Sequence, residues 1–174
     1  VSERTLEEQL PGGPFEGYAP ASERPPLLPY AATMAIFNVL FGAALLLARR
    51  SGRKLPERVA GADVILIGTA AHKLSRLVSK EKVTAPLRAP FTELEGKGGP
   101  AELEERSRGE GARKVVGELL TCPYCLSLWI VAAFSLGLLF APRLSRFLAA
   151  VFSAMGIADF LQLAYKAAED KALG

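Results

Sequence analysis

This chain of 174 residues has little of the side-chain chemistry on which most enzymes depend. It has one histidine, one tryptophan and two methionines, and its two cysteines stand three positions apart as Cys122 and Cys125. One such pair excludes the disulfide framework of a small secreted domain. A lone histidine and no nucleophile elbow argue against conventional hydrolase chemistry. The glycines at 96, 98 and 99 follow no predicted strand, so they read as linker and not as a phosphate cradle. The first 29 residues contain no apolar segment, and no secretory signal is expected in them. The net charge of +3 is spread in short clusters beside apolar runs, which suits an anionic headgroup surface better than a nucleic-acid groove, so no nucleic-acid partner is expected.

What the chain does have is long uncharged runs. Half of its residues are hydrophobic, although 21 are basic and 18 acidic. Charge segregated in this way is expected of a chain partly in lipid and partly in water. The length allows one domain at most. Residues 1–29, with six prolines, read as a disordered tail. Tyr30 to Ala48 is uncharged for nineteen residues. At ~1.5 Å per residue it spans roughly 28 Å, close to the ~30 Å hydrocarbon core. Arg49, Arg50, Arg53 and Lys54 close it. The second run, 59–78, carries Asp63 and ends in His72, Lys73 and Arg76. It reads as a span with a snorkelling basic end, or as an in-plane amphipathic helix.

Residues 79–114 read as a long polar loop, with a short surface helix over Ala101 to Arg106. A third helix is expected over 115–141 and a fourth over 144–165, with a polar tail at 167–174. The fold expected is therefore an all-α polytopic membrane protein of about four transmembrane helices, occupying 30–166. Orientation follows lysine and arginine. The tails and the 79–114 loop carry twelve of them against seven in the two short connections, which puts both termini in the cytoplasm.

The Cys122-Pro123-Tyr124-Cys125 segment opens the third apolar run. Pro123 fits the first turn of a helix, where its missing N–H costs nothing, with Thr121 or Cys122 at the cap. Two sulfurs three positions apart share a face, and a helix N-terminus favours the thiolate. The tetrad occurs in glutaredoxins, but no soluble α/β pattern surrounds it here. A quinone-coupled membrane thiol oxidoreductase generally has a second cysteine pair, which this chain lacks. Zinc would need further ligands, either His72 or the thiolates of a second copy. The plainer alternative is that the pair caps and packs the helix. Asp63 and Asp159 lie within apolar runs, and Asp159 sits about 10 Å inside the Lys166 end by helical rise. Intramembrane carboxylates suggest proton relay or ion contact. The competing role is packing, through a hydrogen bond from Asp159 to Gln162 or to a serine or threonine across the bundle, and Asp159 with Arg76 or His72 is a further pair to test.

Three blocks occur in order: His72-Lys73-Leu74-Ser75-Arg76-Leu77, then Pro86-Leu87-Arg88-Ala89-Pro90-Phe91, then Gly117 to Trp129 around the cysteines. Together they resemble the small bacterial integral membrane proteins grouped as domain-of-unknown-function family 1360, over about residues 60–165. Ser127 stands where glycine is common in that family. The resemblance implies a compact multi-helix membrane protein and no reaction, with the first span added to a three-helix core. The function expected is a structural or interaction component of a bacterial inner membrane, with no catalysis of its own and no cofactor. Its partners would be the bilayer and a second copy or another membrane protein. A thiol redox or zinc site at Cys122 and Cys125 is the alternative, and a transporter-like element using Asp159 is a third.

Overall fold

Prolines and arginines set the ends of the first helix. The structure, a computed structural model, describes residues 17–18 and 25–173. Helix α1 runs over Leu27–Arg50, entered from Pro25-Pro26 and closed by Arg49, Arg50 and Gly52, whose φ is 72°. Most of the expected proline-rich tail lies outside the described residues. Leu27, Leu28 and Pro29, assigned to that tail from sequence, form the first turn of α1 instead, because proline is compatible with a helix start. Thr33 and Asn38 hydrogen-bond to the carbonyls of Pro29 and Met34 four residues back, so neither polar group is left unpaired in the apolar run.

Helix α2 (Gly61–Lys80) is the most enclosed element. Ile67, Ala70 and Ala71 are buried at helical spacing, and Ile67 and Ala70 form a core with Phe134 and Ala149. A 3-10 turn (Lys82–Thr84) and a single-turn helix α3 (Ala85–Arg88) follow. Strands β1 (Thr92–Lys97) and β2 (Leu103–Ser107) then pair antiparallel, with a bulge between Leu94 and Gly96. Helices α4 (Gly111–Thr121), α5 (Pro123–Phe140) and α6 (Pro142–Leu173) complete the chain.

Three differences from the sequence expectation have local causes. The stretch 79–114 is not a loop, and the helix expected over Ala101 to Arg106 is largely strand β2. Glu93 faces Arg106 across the hairpin, and Arg106 donates to Glu93 at 3.0 Å, a cross-strand pairing that helix-period patterning misses. The single helix expected over 115–141 is two. Pro123 disfavours helical backbone at the residue before it, and Cys122 is extended at φ −101° and ψ 103°. The polar tail at 167–174 continues α6 as far as Leu173, helped by Lys166 pairing with Glu169 and Asp170 one turn on.

Helices α1, α5 and α6 are long and apolar enough to cross a membrane; α2 does not reach that threshold. Yet α2 packs between α5 and α6. Ties from Asp63 to Arg146, Ser153 to the Leu66 carbonyl, and Lys73 to Asp159 show that α2 and α6 run in the same direction. Small residues of α6, namely Ala149, Ser153 and Gly156, line this contact and let the backbones approach. A Cβ on Gly156 would lie 3.3 Å from the Lys73 Cβ.

Candidate functional site

Two neighbourhoods collect most of the polar side chains singled out in the sequence, and both sit toward the end where α2 finishes and α5 begins. The first is a charged headpiece. Lys73 Nζ, almost fully buried, contacts Glu81 and lies 2.7 Å from Asp159 on α6. Arg76 reaches Glu102 at 2.6 Å and Lys80 reaches Glu104 at 2.9 Å, so the end of α2 is tied to the hairpin. His72 stacks on Phe160, with ring centroids 5.7 Å apart. All of these residues except Lys80 and Glu104 border a cavity of about 710 Å³ between the hairpin tip and α6.

Arg88 is wholly buried beneath this headpiece. Its Nη1 donates to the carbonyls of Val78 at 2.7 Å and Glu81 at 3.1 Å, and to Thr84 Oγ1 at 2.8 Å. Its Nε donates to Glu105 on β2. One guanidinium therefore caps the carboxyl end of α2, where carbonyls lack helical partners, and clamps the hairpin to it. The Pro-Leu-Arg-Ala-Pro-Phe block is the turn that delivers it.

At the opposite end of α2, Asp63 accepts two hydrogen bonds from Arg146, each 2.8 Å. Arg53 donates to the Leu139 carbonyl at 2.6 Å and lies over the Phe140 ring. Both carboxylates placed within apolar runs are thus ion-paired across helices. Asp159 pairs with Lys73; none of Gln162, Arg76 and His72 is its partner. Lys73 stands in the motif quoted from sequence, but no pattern marks which of its three basic or imidazole side chains faces α6.

The second neighbourhood surrounds the cysteines. Cys122 caps α5, and its Sγ accepts a hydrogen bond from the Cys125 N–H at 3.2 Å. Both are free thiols, Cys122 half-buried and Cys125 exposed. They open onto a groove of about 650 Å³ between α1, α4 and α5. Across it Tyr30 donates to Glu118, and Phe37 meets Trp129 edge to face at 5.1 Å. Tyr30 and Phe37 carried no motif in the sequence, and Glu118 stood in the block around the cysteines without a role assigned to it. His72 lines the other cavity and is not brought to the thiols. Among the described residues no three of His, Cys, Asp and Glu converge as metal ligands.

The sequence profile of a family described as a protein of unknown function (DUF1360) matches residues 66–165, more than half of the chain. The chain is similar to a Bacillus subtilis (strain 168) protein named sporulation protein YjcA. The two are 29% identical over 105 residues, which covers 59% of this chain and 89% of that relative. No solved structure matches.

Proposed function

The chain belongs to the DUF1360 family of unknown function, and from that premise we propose that it is a polytopic membrane protein acting as a structural or interaction component of a bacterial inner membrane. One observation carries this proposal: the polarity of the helix bundle is inverted relative to a water-soluble core. Val39, Leu47, Leu128, Phe147 and Leu161 are exposed on α1, α5 and α6, while Lys73 and Asp63 are turned inward on α2. Apolar surface outside and paired charge inside is the arrangement stable in lipid.

On this proposal α2 is the fourth crossing helix, shielded by its apolar neighbours, and its length of about 30 Å matches the hydrocarbon core. The hairpin and the Cys pair then share the cytoplasmic side, in keeping with the lysine and arginine distribution. The relative's name supports extending a role in sporulation to this chain. The ion pairs of the headpiece favour holding helices together over acid–base work.

Topology tests the proposal directly. Single cysteines at Leu55 and at Gly99, in a chain with Cys122→Ser and Cys125→Ser, should react with an impermeant maleimide on opposite sides of the membrane. Labelling on the same side would sink the four-span arrangement. In a spore-forming host, deletion should lower the yield of heat-resistant spores and the wild-type chain should restore it; an unchanged yield would remove that role.

A second function, thiol redox or metal binding, is favoured by the placement of both thiols at a helix start facing an open groove. Thiol trapping after a soluble oxidant such as diamide should show an intramolecular disulfide. Failure to form one would exclude the redox version, and zinc-free purified protein of normal stability would exclude the metal version.

A further inference from the structure

The groove at the cysteines is built by an element outside the family-matched residues. Helix α1 precedes residue 66. Without it, the thiols would lie on an open face of α4 and α5. Tyr30 on Glu118 and Phe37 on Trp129 hold α1 across that face and wall it in. The lining is also graded. Glu118, Cys122 and Cys125 lie around the α4–α5 junction, and Phe37 and Trp129 lie further along α1 and α5. Its volume of about 650 Å³ falls within the roughly 300–1,000 Å³ of small-molecule sites.

We propose that this groove seats the ring of a lipid-soluble quinone beside Cys122 and Cys125, which reduce it. This rests on the dithiol function above and supplies its electron acceptor. Closing a dithiol to a disulfide requires a two-electron acceptor. An acceptor suited to this groove must dissolve in hydrocarbon, present a flat ring to aromatic walls and place polar atoms at the thiol end. Quinones are the chemical class with all three properties. A second cysteine pair is unnecessary, because the groove brings the acceptor to the first.

The step balances. Two S–H bonds are lost and one S–S bond forms between Cys122 and Cys125. Two electrons and two protons pass to the quinone, whose carbonyl oxygens become hydroxyls. Glu118, whose Oε2 accepts from Tyr30, is the carboxylate in the groove lining and would carry a thiol proton on its other oxygen. Exchange with two molecules of a soluble thiol returns the pair to the reduced state.

Trp129 is the chain's one tryptophan, so its emission reports the groove. Titrating a decyl-substituted benzoquinone into the purified full chain in detergent should quench that emission saturably. One hydroquinone should form per disulfide closed. Phe37→Ala should raise the half-saturating quinone about fivefold, from loss of one aromatic pair, while diamide still closes the disulfide. A disulfide with diamide but no quenching, or quenching without hydroquinone, would overturn the quinone site and leave the dithiol function standing. No disulfide with diamide would overturn both.

Discussion

Lys73 on α2 holds Asp159 on α6 through a 2.7 Å ion pair, and the same ammonium also contacts Glu81 just beyond the end of α2. One buried cation therefore neutralises two carboxylates from different parts of the chain. The arrangement explains how an inward-facing lysine is tolerated among apolar helices, since a buried charge must be paired.

The two ends of that pair should respond unequally to substitution. Asp159→Asn leaves Lys73 with Glu81 and should cost about 1 kcal/mol. Lys73→Met leaves two carboxylates facing each other without a cation and should cost about 3 kcal/mol or more. Thermal unfolding in detergent measures both; equal losses would show that Glu81 does not share the charge.

At the other end of α2, Asp63 and Arg146 form a two-pronged pair. Asp63→Arg should lower the folded fraction in membranes, because it sets two guanidiniums against each other. The exchanged pair Asp63→Arg with Arg146→Asp should recover much of it. Abundance by immunoblot and thermal midpoint report the recovery, and a double variant no better than the single would rule out a direct pairing role.

Arg88 should not be replaceable by lysine. Its Nη1 and Nε serve different partners, the α2 terminal carbonyls and Glu105, and a single ammonium cannot span them. Arg88→Met leaves the Glu105 carboxylate buried and unpaired, at a cost of about 3–5 kcal/mol. Protease sensitivity of the hairpin should rise in both variants, and wild-type resistance in Arg88→Lys would disprove the divided role.

Gly117 is where α4 meets the hairpin. A Cβ there would lie 2.5 Å from the Phe91 carbonyl oxygen and 2.9 Å from the Ser107 Cβ. Gly117→Ala should therefore push α4 outward and destabilise the chain by about 1–3 kcal/mol. Gly68→Ala, in open space on α2, is the control and should leave the thermal midpoint at or above that of the wild type, because alanine favours the helix.

Much of the architecture was legible in the sequence because its signals are local. Tyr30 to Ala48 and Leu126 to Ala141 are uncharged, and an unbroken apolar run has few alternatives to a helix. A helix cap at Thr121 or Cys122 followed from Pro123, and the structure places it at Cys122. The hairpin was not legible. Its strands are rich in glutamate with little β-branched character, and they are held by each other and by the basic side chains at the end of α2. The groove was also hidden, since α1 supplies its outer wall from Tyr30, 92 positions before Cys122.

By itself the sequence determined the family, the apolar helices and the helix start at the cysteines, all of which depend on residues close together in the chain. Only the tertiary structure decided that α2, the least apolar of the long helices, occupies the centre. Its charges are acceptable there because Arg146, Asp159, Glu81 and Glu102 converge on them from other elements, and that convergence is a property of packing which no local pattern encodes.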